Sequence, residues 1–253
     1  MASAKPRHLK NAPITEAILD LRVNLSKDFR PDTFKDMKGR MSDRYPKMEE
    51  ARYFTAQVQI TLGKASTSEA TVGHVQGYFF KSADGLDIAQ FRVDGFSHNR
   101  LRPYTRWEQF FPEAMRCWEL YQSVAQPPFV TRVSVRYINH LKLPIKNGDD
   151  MEDYLTALPP MPPGAPGGFS GLLTRVATYD DETGVCSNVT QALEGGVGMA
   201  EPAIILDIEA YRGGEEAGPP DRGALEPTFE VLRKVKNDIF FGSITEETAR
   251  LFE

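Results

Sequence analysis

Alternation of apolar and polar residues at every second position constrains this chain's fold more than any other feature. Successive side chains of a strand point to opposite faces, so such alternation marks a half-buried strand. From Thr15 to Val23, Ala17, Leu19, Leu21 and Val23 are apolar, whereas Glu16, Asp20 and Arg22 face the other way. A second clean case is 56–62, with Val58, Ile60 and Leu62 inward. Further strands are expected at 75–82, 86–96, 131–144, 171–179, 187–194 and 203–212. Ala83-Asp84-Gly85 reads as a hairpin turn between the third and fourth of these. Tyr179–Gly184 reads as another turn, with Gly184 at positive φ, because the spacing of a calcium loop is missing.

Between these strands the period changes from two to three and four. Residues 31–45 open on Pro31 and carry Phe34, Met37, Met41 and Tyr45, the stripe of an amphipathic helix. The longest helix is expected at 104–124, with Trp107, Phe110, Phe111, Ala114, Met115, Trp118, Tyr121 and Val124 on one face. A short helix follows at 150–158, closed by the Pro/Gly-rich stretch 159–168; a second Gly/Pro-rich loop covers 213–223. Residues 225–241 form a third stripe, with Phe229, Leu232, Val235, Lys236, Ile239 and Phe240. Ser243-Ile244-Thr245-Glu246 fits a capping box for a last short helix. Residues 1–11 are polar and read as loose.

The order is strand, helix, three strands, helix, and then the same again. Runs of strands punctuated by helices favour an α+β fold, mainly antiparallel, over a doubly wound parallel sheet. The reading is one α+β domain over 1–253, with internal repeats at 12–126 and 129–253 about a pseudo-two-fold axis.

Composition bounds the function. At 253 residues, 41% hydrophobic and 26% charged, the chain is an ordinary globular protein that needs no metal or disulfide to fold. Its net charge of −5 opposes nonspecific DNA binding by the whole surface. No apolar run approaches the roughly 18 residues of a membrane span, and no secretory signal is expected. Cys117 and Cys186 form no C-x-x-C, and His8, His74, His98 and His140 are scattered. A disulfide framework, a metal centre and a cofactor are not expected, and a reducing cytoplasm fits best. Nucleophile elbows, P-loops and dinucleotide fingerprints are missing, which leans the reading away from an enzyme.

Several segments resemble a known family. They are Asn11-Ala12-Pro13-Ile14-Thr15-Glu16-Ala17, Gly95-Phe96-Ser97, Asn99-Arg100-Leu101, Pro103-Tyr104-Thr105-Arg106-Trp107, Arg132–Asn139 with Leu143-Pro144, and Phe240-Phe241 with Ser243-Ile244-Thr245. Together they are similar to the "sporadically distributed" bacterial proteins of about this length, a family defined by sequence. The match spans nearly the whole chain, and Arg136-Tyr137-Ile138-Asn139 is its most specific part. The family brings no catalytic residues to transfer. Its patchy occurrence implies horizontal transfer, common for genes of mobile elements, toxin–antitoxin pairs and phage defence. The resemblance therefore implies a noncatalytic protein that binds another protein, the product of a neighbouring gene.

Two clusters carry the rival expectation, a nucleotide- or nucleic-acid-binding protein. The first is the set of polar residues on the non-core strand faces, namely Glu16, Asp20, Arg22, Gln57, Gln59, Gln90, Arg92, Arg132, Ser134, Arg136, Asp207 and Glu209. Arginine forks there could grip phosphate and the acids could hold a cation; the bland reading is a wet sheet face with cross-strand charge pairs. The second is Arg92, Arg100, Arg102 and Arg106 with His98, Tyr104 and Trp107, running into a helix start. Basic residues interleaved with aromatics suit a single-stranded nucleic acid; the bland reading makes the aromatics core and the arginines solvated.

Overall fold

The computed structural model describes residues 2–59, 67–145, 148–165, 169–194, 203–214 and 218–253. The expected inward positions Ile60 and Leu62, and parts of both Gly/Pro-rich loops, lie outside these residues. The described strands are β1 (Ile14–Val23), β2 (Lys47–Gln59), β3 (Thr67–Lys81), β4 (Asp87–Arg92), β5 (Gly95–Leu101), β6 (Val130–Lys142), β7 (Leu173–Asp180), β8 (Val185–Glu194) and β9 (Ala203–Gly213). They pair in one sheet of order β2-β3-β4-β5-β1-β6-β9-β8-β7. Every pairing is antiparallel, so the fold is α+β as expected. The order reads outward in the same way on both sides of the central β1–β6 pair, but one side has five strands and the other four. This symmetry is one of topology and shows no duplication.

The odd strand arises where one was expected to run over 86–96. The chain instead turns back at Val93-Asp94, so that Arg92 faces Gly95 and β4 pairs with β5. Gly95 permits this turn to sit against β1. Its φ is 149°, and an added Cβ would stand 2.3 Å from the carbonyl oxygen of Leu21. Gly95→Ala is expected to cost about 2 kcal/mol through the strained φ and the backbone clash. A urea melt within a few tenths of a kcal/mol of wild type would contradict that.

Two α-helices of three or more turns cover one face of the sheet. They are α2 (Trp107–Ala125) and α3 (Arg222–Ser243), which Asp221 caps by accepting a hydrogen bond from the Ala224 N–H at 3.0 Å. Residues 31–45 are not one helix. A 3₁₀ segment over Pro31–Asp36 leads into the single turn α1 (Met37–Met41). Phe34, Met37, Met41 and Tyr45 are nonetheless all buried, because a stripe at three and four residues serves a 3₁₀ turn as well as an α-helix. Likewise the short helix expected at 150–158 is 3₁₀ over Gly148–Asp153.

The core lies between helices and sheet. Trp118 stacks on Tyr121 with ring centroids 5.2 Å apart, and Phe34, Phe91 and Phe96 surround Tyr121. A second cluster joins Leu141, Ile204, Leu206 and Ile208 of the sheet to Phe240, Phe241 and Ile244. Each buried side chain of this size contributes roughly 1.5–3 kcal/mol by leaving water. The last helix, α4 (Glu246–Arg250), is capped by Thr245, whose Oγ1 accepts from the Thr248 N–H at 3.3 Å. Ser243 does not cap it; its hydroxyl donates back to the carbonyl of Ile239 within α3.

The N-terminal segment is docked rather than loose. Ala4 N–H donates to the Ile244 carbonyl and Asn11 N–H to that of Phe252. Arg7 bridges Glu246 and Glu253, and Leu9 is buried. No described helix is long and apolar enough to cross a membrane.

Candidate functional site

The open face of the sheet carries the first expected cluster. Strand alternation sends Glu16, Asp20 and Arg22 away from the helices, beside Ser97 and Asn99 on β5 and Arg132, Ser134 and Arg136 on β6. Arginine forks are satisfied there by carboxylates of the same face. Arg92 donates to Asp20 at 2.9 Å and to Asp94 at 3.0 Å, and its remaining N–H groups reach Gln90 and Ser97. Arg22 bonds the same two acids. Arg132 donates to Glu209 at 2.7 Å, while Arg136 binds Asp207 through two N–H groups at 2.8 and 2.5 Å. Glu16 accepts from Asn99 at 2.6 Å. A small recess of about 200 Å³ includes Arg136, Asp207 and Glu209, but neither Arg92 nor Arg132 lines it. These arginines thus share a face and an internal ion-pair network without converging on one pocket.

The second expected cluster is divided by the fold. Arg92 belongs to the open face, whereas Arg100 lies on the helix side, where it donates to Asp87 at 2.5 Å. Arg106 is the N-cap residue of α2, and its side chain makes no capping hydrogen bond. Tyr104 and Thr105 separate two cavities.

The first cavity, about 780 Å³, is lined by Arg44, Tyr45, Asp87, Arg100, Glu113 and Arg116, among others. Below it sits His98, with no exposed surface. Tyr45 hydroxyl donates to Glu113 at 2.9 Å, so the ring nitrogen Nε2 of His98, 3.0 Å from that hydroxyl, must be the donor. His98 Nδ1 then keeps a buried lone pair without a partner among the described residues. Burial pushes the imidazole pKa down to about 4 despite the nearby Glu113. Cys117 lies alongside, its thiol pushed up to about 12, first by burial and then by Glu113. That shift opposes a thiolate nucleophile at neutral pH. The cations at this cavity are paired, Arg100 with Asp87 and both Arg44 and Arg116 with Glu113.

The second cavity, about 590 Å³, lies between the docked N-terminal segment, the start of α2 and the middle of α3. Tyr104 and Tyr137 share a hydroxyl–hydroxyl hydrogen bond of 3.0 Å on its wall. Lys236 projects from α3 with its Nζ 3.6 Å from the centre of the Tyr137 ring. The sequence marks Lys236 only as the polar edge of an apolar stripe. The structure makes it a lysine 92% buried (8% exposed) that forms no hydrogen bond or ion pair among the described residues. The signal available beforehand was its place between Leu232, Val235, Ile239 and Phe240.

A different kind of feature lies at the sheet edge. Among the described residues β7 pairs only with β8, and within it Leu173 is 77% exposed, Val176 53% and Tyr179 63%. Large apolar side chains on an unpaired edge are what isolated globular proteins commonly avoid. Among the described residues no group of three or more His, Cys, Asp or Glu side chains is placed to hold a metal ion.

Compared with known proteins, the chain matches no family model and no curated sequence. The geometry of the site therefore carries the functional argument.

Proposed function

We propose that this chain is a noncatalytic cytoplasmic protein that binds another protein by lending it the β7 edge of its sheet. The supporting observation is the exposure of Leu173, Val176 and Tyr179 on a strand with one side unpaired. An extended segment of a partner could add there as a tenth strand, with backbone hydrogen bonds giving affinity and the three apolar side chains giving selectivity. The ion-pair network of the open face supports a protein rather than a polyanion as the ligand, since Arg22, Arg92, Arg132 and Arg136 already have their carboxylates. Membership of the sporadically distributed family, and with it a partner encoded nearby in a defence or mobile locus, is part of the same proposal.

The test is affinity capture from the native host, with nuclease-treated and untreated eluates compared. One stoichiometric protein should survive nuclease and be lost from the variant Leu173→Lys/Val176→Lys/Tyr179→Lys. Those substitutions are at exposed positions and should change stability by no more than about 0.5 kcal/mol each. Capture of the same protein by the variant, or loss of all bound material on nuclease treatment, would overturn the proposal.

A further inference from the structure

We propose that the cavity between α2 and α3 binds a small organic carboxylate, with Lys236 as its counter-charge and the surrounding aromatic rings holding its apolar body. The argument starts from the cost of burying an ammonium group. A lysine taken out of water normally finds a carboxylate, or its amine reaches the surface. Lys236 has no carboxylate partner among the described residues, and it opens onto the cavity, where the ring face of Tyr137 is its one described polar contact. Its position on the wall of a 590 Å³ cavity gives the charge somewhere to be used. Cavities of this size hold ligands of drug-like dimensions.

The neighbouring charges narrow the ligand. Arg233 is one turn away on the same helix but is taken by Glu108 at 3.0 Å and Glu230 at 3.4 Å. Glu108 itself is turned towards that arginine and its own backbone N–H. Arg7 is committed to Glu246 and Glu253. Among the described residues of the wall this leaves Lys236, and at the mouth Arg106, as cations without an ion pair. The uncapped first turn of α2 adds the partial positive charge of a helix start. That is enough charge for one carboxylate and too little for a polyphosphate. Tyr104, Trp107, Phe240 and Phe241 supply apolar surface for the rest of the molecule.

Desolvation, with a smaller contribution from Arg233, lowers the Lys236 pKa to about 7, so near neutrality the amine is only partly charged. The other groups facing it are the hydroxyls of Tyr104 and Tyr137, whose pKa values are raised, and His8 on the N-terminal segment. An anion that binds only the ammonium form must lose affinity as pH rises above the free-state pKa, about tenfold per unit until the bound-state pKa is reached.

The experiment uses calorimetry on the full chain with three probes: naphthaleneacetate, its neutral amide naphthaleneacetamide, and inorganic phosphate. At pH 6 the acid should bind at least about tenfold tighter than the amide, and phosphate should bind weakly or not at all. Between pH 7 and 8 the acid should weaken about fivefold while the amide stays constant. Lys236→Met should erase the difference between acid and amide. The pH profile of the wild-type protein needs no variant and stands even if that substitution disturbs folding. Equal binding of acid and amide, a flat pH profile, phosphate binding as tightly as the acid, or no binding up to about 10 mM would each overturn the proposal.

Discussion

Replacing Arg92 by methionine is expected to destabilise the protein by about 3–5 kcal/mol, because it leaves Asp20 charged and largely buried. Both side chains are 12% exposed and lie 2.9 Å apart on the open face. Arg22, the other cation on Asp20, is 40% exposed and shared with Asp94, so it screens the loss only in part. The Ser97 hydroxyl and the Gln90 side-chain carbonyl also lose their donor. Asp20→Leu combined with Arg92→Met should cost much less than the sum of the two single changes, since the pair is then removed together. Urea melts of the three variants at pH 7 measure this. A single-variant cost below about 1 kcal/mol would mark the pair as an ordinary solvated surface bridge. The open-face arginines would then be available to a ligand after all.

Acidification from pH 6.5 to 4 is expected to remove about 3 kcal/mol of stability through His98 alone. The sign follows from the direction of the shift. The imidazole titrates at its ordinary value of 6.5 when the chain is unfolded and at about 4 when buried. Between those values the unfolded state binds the proton and the folded state does not, so stability falls as pH falls, by about 1.4 kcal/mol per unit. Below about 4 both states are protonated and the contribution is lost. His98→Gln keeps a donor for the Tyr45 hydroxyl but cannot titrate. Its stability curve should run flatter than wild type by that amount across the window, and parallel curves would refute the assignment.

The strands β6 and β9 of the second half were legible because each has one wetter and one drier face. In β9 the even-numbered residues Ile204, Leu206, Ile208 and Ala210 are buried, while Asp207 and Glu209 sit opposite. The helix stripes of Trp107–Ala125 and Arg222–Ser243 were legible for the same reason at a different period. The β4–β5 hairpin was missed although Asp94-Gly95 repeats the turn signal of Asp84-Gly85. The apolar residues Phe91, Val93 and Phe96 made the two strands look continuous. The first halves of β2 and β3 were missed because charged and small residues dominate them. The capping box failed for a geometric reason. Ser243 still belongs to the turn of α3 when the chain leaves it at Ile244.

Of the expected site residues, the strand positions were placed correctly on one face, since period two fixes which way a side chain points. Their partners were not legible. Whether Arg92 meets Asp20 depends on β4, β5 and β1 being neighbours, which is a matter of sheet order rather than of any local pattern. The arginines from 92 to 106 looked like one cluster because they are close in sequence. The pleat sends Arg92 to the open face and Arg100 to the helix side.

What the sequence determined by itself is the class of fold, the dry face of each long element and the polar character of the other, because these follow from local periodicity and the burial of apolar surface. Tertiary structure alone decided which charges cancel, which edge strand is left unpaired, that His98 is sealed from water, and that Lys236 lines a cavity with no ion pair among the described residues. Pairing and desolvation depend on groups brought together from about a hundred residues apart: Lys236 is buried against Tyr137 of β6. No window of sequence contains that distance.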